Sequence, residues 1–237
     1  MKIALLAAML PLAACNYASG MSGEIVEASG SGSTRSYQVA GFTGVSLRGS
    51  DNVEVRAGPF AVTAEGDATL LDRLEIRKDG DTLRIGRKSD SWNWGKGQHA
   101  KVIVTLPRLV SASVAGSGDM NVARAQGDLD ASIAGSGNLR IAEYRGGKAD
   151  LSIAGSGDLA IAGLASVVDI SIAGSGDVDA PNLKAEKSDI SIAGSGNVRA
   201  QVTGTADISI VGSGDAVLTG GAKCSVSAMG SGKARCS

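Results

Sequence analysis

Five aspartates, Asp130, Asp150, Asp169, Asp189 and Asp207, return at intervals of 18 to 20 residues. Each is followed two residues later by a serine: Ser132, Ser152, Ser171, Ser191 and Ser209. Stacked in a column, such carboxylates form a strip that binds cations, or with the serines a flat polar face that docks a polymer or a lattice. Taken in pairs they can supply the acid and the base of glycoside cleavage, which needs two carboxyl groups with separated pKa values. Identical surroundings in copy after copy do not separate an acid from a base. At strand spacing, like charges repel by about 1 kcal/mol per neighbouring pair in water. Lys148, Lys187 and Lys223 lie two residues before positions of that column, on the same outward side. A locally neutralised, solvated face is therefore the plainer reading of the same residues.

The remaining reactive side chains are few. Trp92 and Trp94 lie in the glycine-containing stretch "SDSWNWGKGQH", residues 89–99. They can stack on a sugar or a partner's apolar surface if the stretch is extended, or they can cover an exposed core edge. His99 is the only histidine and there is no CxxC, so neither a metal site nor a cofactor is expected.

The chain opens "MKIALLAAMLPLAAC": one lysine, twelve mostly apolar residues and then Cys15. That run is too short for a hydrocarbon core, which takes about 20 helical residues, and it reads as a secretory signal over residues 1–14. Leu12-Ala13-Ala14-Cys15 resembles the bacterial lipobox, which makes Cys15 the lipid acceptor; an ordinary cleavage site before a chance cysteine is the alternative. Asn16, rather than aspartate, follows the cysteine. That points to an exported protein held by its lipid at the outer membrane, on either the periplasmic or the surface side. Residues 15–36 are rich in Gly and Ser and are expected to form a flexible tether. Without Lys2 the chain carries 22 basic and 24 acidic residues, a balance that suggests no nucleic-acid partner.

The elements that position these residues are read from a repeat. "GSG" recurs with its first glycine at Gly116, Gly135, Gly155, Gly174, Gly194, Gly212 and Gly230, in steps of 19, 20, 19, 20, 18 and 18. A fixed period near 20 marks a solenoid. Counting that glycine as zero, positions −6, −4 and −2 are apolar, as in Val168, Ile170 and Ile172, and so mostly are +4 and +6, as in Leu159 and Ile161. Period-two alternation means strands with one buried face. Each repeat is thus two short strands around a corner where glycine takes positive φ. The expected fold is all-β, a parallel β-helix with coils of about 18–20 residues and neighbouring strands about 4.8 Å apart.

The variable stretches "AEYRGGKA", "AGLASV" and "APNLKAEKS" fall between strands and are the expected places for specific recognition. Position +3 holds Asp119, Asn138, Asp158, Asp177, Asn197, Asp215 and Lys233, where Asp and Asn side chains are expected to cap their own turns. Cys224 and Cys236 fall on inward positions of one coil. In an exported protein they are expected to form a disulfide, with two buried thiols as the alternative. Upstream, Gly44 to Gly58 is a degenerate copy with Gly49-Ser50-Asp51 at its corner. One domain over 37–237 follows, irregular over 37–109 and regular over 110–237.

The order "FTGVSLRGSDNVEV", "LLDRLEIRKDGDTLRIG", "VIVTLPRLVSASVAGSGDM" and then tandem "SIAGSGD" resembles the bacterial auto-transporter adhesin head domain, the GIN domain. The resemblance covers essentially the whole folded body. It implies a right-handed parallel β-helix in secreted or envelope proteins, often lipoproteins, and it supplies no catalytic residue. The expected function is a noncatalytic envelope lipoprotein, attached to the membrane by its lipid, whose β-helix surface binds a glycan or protein ligand. The alternatives are a pectinase-like polysaccharide enzyme and a scaffold without a ligand. Fold alone is weak warrant for the enzyme.

Overall fold

The computed structural model describes residues 21–88 and 99–237. The signal segment, Cys15, Trp92 and Trp94 lie outside the described residues. The chain enters through β1 (Glu24–Ile25), β2 (Ala28–Ser29) and β3 (Thr34–Tyr37). Next come β4 (Gly44–Gly49) and β5 (Asn52–Ala57), bent about Gly49, followed by β6 (Ala61–Glu65). A one-turn helix α1 (Ala68–Leu71), capped by Asp67 accepting from the Thr69 N–H, leads to β7 (Leu74–Asp79). Then come β8 (Thr82–Arg87) and β9 (Lys101–Leu106).

The repeats begin with β10 (Ser111–Gly116), β11 (Met120–Val122), β12 (Ala125–Gln126) and β13 (Leu129–Gly135). They continue as long bent strands, β14 (Leu139–Gly155), β15 (Leu159–Gly174), β16 (Val178–Gly194) and β17 (Val198–Gly212). They end in β18 (Ala216–Thr219), β19 (Lys223–Gly230) and β20 (Ala234–Cys236). All twenty strands belong to one sheet, wound into a β-solenoid of about seven turns.

The rungs are parallel and in register. Ala112, Ala131, Leu151, Ile170, Ile190, Ile208 and Val226 pair successively at −4. Small and β-branched side chains fill the interior, and the inward Val, Ile and Leu from Val45 to Leu218 are almost wholly removed from solvent. The repeat therefore gives the core its shape: one aliphatic layer per rung, each stacked on a like layer.

The glycine pair at each corner answers two separate demands. The first glycine has φ between 123° and 136° from Gly116 to Gly230, a region that L side chains avoid. The second does not need positive φ, but a Cβ on it would collide with the backbone of the rung beneath: on Gly176, with the Gly157 carbonyl oxygen. The corner is also where rungs are tied. The Gly155 carbonyl accepts from the Ser175 and Gly176 N–H groups at 2.9 and 3.1 Å, and the same fork recurs at successive corners.

Three features differ from the sequence expectation. First, residues 24–36, in the stretch expected as a tether, contribute to β1–β3, and β3 pairs antiparallel with β6 and β1 with β7. Second, the variable stretches are strand rather than loop. They pair from rung to rung, and their length changes are taken up at register shifts between Ile141 and Tyr144, Ala160 and Gly163, and Ala180 and Lys184. Third, spatial order departs from chain order. β4 lies between β8 and β10, and β5 between β9 and β11. The degenerate copy thus sits directly under the first clean repeat, with β8 and β9 beneath it.

Candidate functional site

Register builds the outward surface. At −5, Ser111, Asp130, Asp150, Asp169, Asp189 and Asp207 face one another across successive rungs, as expected from their spacing. Ser113, Ser132, Ser152, Ser171 and Ser191 form the next column, and Ala115, Ala134, Ala154, Ala173 and Ala193 the one beyond. Because Ser and Ala are short, these columns make a shallow trough of about 580 Å³ running across five rungs. On its flank the Asp column is compensated at one place. Lys148 bridges Asp150 and Asp169, 2.9 Å from each. Those two hydrogen bonds hold the Lys148 ammonium well above the usual lysine range. Among the described residues Lys187 and Lys223 make no such bridge, so neutralisation by all three lysines is corrected to neutralisation by Lys148.

The +3 column works differently from a set of local caps. The Oδ1 of Asp119 accepts from the Asn138 N–H, Asn138 from Asp158, Asp158 from Asp177, Asp177 from Asn197, Asn197 from Asp215 and Asp215 from Lys233, at 2.7 to 3.2 Å. Each side chain therefore satisfies the backbone of the next rung, not of its own turn. The column continues the ladder around a corner where the backbone alone cannot. These side chains are structural, and the sequence expectation of turn capping is right in acceptor type and wrong in partner.

The sequence reading missed one buried charge. Asp51 is fully buried. Its carboxylate accepts from Arg87 at 2.9 and 2.6 Å and from the Ala100 N–H at 2.8 Å. His99 Nδ1 contacts the neighbouring Ser50 carbonyl. The pair fastens β8 and the start of the β9 segment to the β4–β5 corner. The signal was present, since Gly49-Ser50-Asp51 carries Asp where every later corner carries Gly. Cys224 and Cys236 form a disulfide, with Cα atoms 6.6 Å apart. Among the described residues no three of His, Cys, Asp and Glu converge as a metal site requires.

On the +5 side, Glu54, Asn121, Arg140, Ala160 and Asp179 follow one another rung by rung. Here a second groove of about 500 Å³ opens over β5, β11 and β14. Glu54 in its wall accepts from Lys101 and Arg56, at 2.9 and 2.7 Å. The Lys101 and then the Arg56 hydrogen bond hold its carboxyl below the usual range.

A family model described as "Putative auto-transporter adhesin, head GIN domain" matches residues 41–222. A crystal structure of "a putative adhesin" from Bacteroides fragilis shares 23% identity, with 86% of this chain and 95% of that chain covered and a TM-score of 0.77. One of a "Putative lipid binding protein" from Parabacteroides distasonis shares 21%, covering 89% and 98% with a TM-score of 0.67. Another "putative adhesin", from Parabacteroides merdae, shares 18%, covering 88% and 97% with a TM-score of 0.65. At these identities the structures share the fold. No curated protein matches this chain.

Proposed function

This chain belongs to the auto-transporter adhesin head GIN-domain family, and from that premise we propose that it is a noncatalytic envelope lipoprotein, anchored through Cys15, whose solenoid surface binds a ligand outside the membrane. The observation that carries the reading is the trough of Ser and Ala columns beside the Asp column over five rungs. A rigid surface of like side chains at a fixed spacing of about 4.8 Å suits many weak, repeated contacts with a polymeric or clustered partner, where avidity raises affinity without any one strong contact. The Asp column offers little to catalysis: the two carboxylates set apart from the rest, Asp150 and Asp169, are paired with the same lysine, Lys148, which does not distinguish an acid from a base between them. The lipobox-like stretch before Cys15 fits an envelope position on either side of the outer membrane, and the family's adhesin description favours the surface side.

The test is protease accessibility on intact cells of palmitate-labelled protein, beside Cys15→Ala. The expected result is labelled protein that is digested from outside, with the label lost in Cys15→Ala. Labelled protein that resists external protease until the outer membrane is opened overturns the adhesin reading.

A further inference from the structure

We infer that the groove over β5, β11 and β14 is a subsite for a carboxylate-bearing saccharide, a chain of uronic-acid type, with Arg140 taking the carboxylate; this rests on the binding role proposed above and names its ligand class. The groove presents unused donors. Arg140 is exposed and makes no hydrogen bond or ion pair among the described residues, and the Asn121 amide beside it on the next rung likewise makes none. A guanidinium fork matches a carboxylate in two parallel bonds. An amide one rung away, about 4.8 Å along the axis, both donates to and accepts from hydroxyls.

Two further features select a sugar rather than a bare anion. The exposed methyl groups of Ala123 and Ala142 line the groove, offering an apolar surface to the C–H face of a pyranose ring. Acceptors for hydroxyls line the same groove in Glu54, which stands in the column of Asn121 and Arg140, and in Asp119. Glu54 does not repel an acidic ligand as a free carboxylate would, because Lys101 and Arg56 already neutralise it. Glu54 and Arg140 are two rungs apart, about 10 Å along the axis, a span that holds a short oligosaccharide rather than a single ring. The groove's volume of about 500 Å³ lies within the usual range for small-ligand sites, about 300–1,000 Å³. Charge separates the two faces: the −5 column presents Asp130, Asp150, Asp169, Asp189 and Asp207, and an acidic polymer is steered away from it and toward Arg140.

The experiment is calorimetric titration of the full-length lipidated protein in detergent micelles with tri- to penta-galacturonate, with neutral galacto-oligosaccharide and short dextran sulfate as comparison probes. Arg140→Gln is the test variant. It is expected to fold as the parent does, because Arg140 has no partner to lose, and circular dichroism checks this. Arg199→Gln, at an exposed arginine of the same column three rungs from Arg140 and outside the groove lining, is the control with the same charge change. The expected result is saturable binding of galacturonate, at least tenfold weaker in Arg140→Gln, unchanged in Arg199→Gln, and absent for the neutral probe. Equal binding by Arg140→Gln, equal binding of the neutral sugar, equal binding of dextran sulfate, or no binding of galacturonate below 10 mM each overturns the inference. If cells bearing the protein still bind a surface or ligand, and Ala154→Arg, in the Ser–Ala trough, abolishes this while Arg140→Gln does not, the groove assignment falls and the binding role stands. If the protein is shielded from external protease, the adhesin role falls whatever the groove does.

Discussion

At single residues, the two glycines of a corner make separable predictions. Gly176 needs no positive φ, yet an added methyl would meet the Gly157 carbonyl oxygen, which is backbone and cannot swing away. Gly80 has φ of 56° and nothing within 4 Å of an added Cβ. Gly176→Ala is expected to cost about 3 kcal/mol, the upper end of core overpacking. Gly80→Ala should cost about 1 kcal/mol, the strain of the backbone alone. Urea midpoints of the two variants decide the order, and a larger loss at Gly80 would refute the close-approach account. Tyr144 gives a second test. Buried, its hydroxyl lies 2.9 Å from the Gly127 carbonyl and 2.7 Å from the Lys148 carbonyl. Desolvation first, and then the charges of Asp128 and Asp150, push its pKa up from 10.0 to about 12. The folded state therefore keeps a proton that the unfolded chain gives up. Tyr144's contribution is complete below about pH 10 and is lost as pH rises toward about 12. Denaturation followed from pH 9 to 12 should show this loss in the parent and a smaller one in Tyr144→Phe, which itself should cost about 1 kcal/mol near neutral pH.

At the scale of the rung, legibility divided along the periodicity. The corner glycines, the inward −6, −4 and −2 set and the outward Asp and Ser columns were readable because each recurs every coil, so that the sequence repeats what the stacking repeats. Tyr144 and the strand around it were not, because that third side of the coil has no repeated residue: Tyr144 stands opposite Gly163, and Gly163 opposite Leu183. The cap of β1–β3, β6 and β7 was hidden for another reason. Apart from the short β2–β3 hairpin, its antiparallel pairs join residues far apart in sequence, such as Ile25 with Arg77, and no local pattern announces them. The +5 groove escaped because Glu54, Asn121 and Arg140 differ from rung to rung. The same division predicts where the chain tolerates insertion. One glycine added after Asn182, beside the register shift at Ala180 and Lys184, should cost less than about 1 kcal/mol, as expected for a slightly longer connection. One glycine added after Ile190 moves Ile192 off the inward face and should cost about 3 kcal/mol, the burial of one large aliphatic side chain. Equal midpoints for the two insertions would mean that register is not what holds the rungs.

For the whole molecule, stability should follow stacking in one dimension, because each rung touches only the rungs above and below. The antiparallel strands β7 and β6 cover the end of the solenoid at β8 and β9. Among the described residues β19 and β20 have a rung on one side only, that of β17 and β18. There Val226 and Met229 remain exposed, and the Cys224–Cys236 disulfide replaces part of the missing packing. Closing a loop with a sequence separation of 12 stabilises by roughly 3 kcal/mol on chain-entropy grounds. Reduction should therefore raise hydrogen exchange over 216–237 while leaving the amides of β4, β5, β10 and β13 protected as before. A uniform rise across all rungs would mean that the solenoid opens as a single cooperative unit. The distinction bears on function: if loosening stays at one end, the Ser–Ala trough and the Arg140 groove keep their spacing, and a repeated surface can hold a repeated ligand while its terminal rung frays.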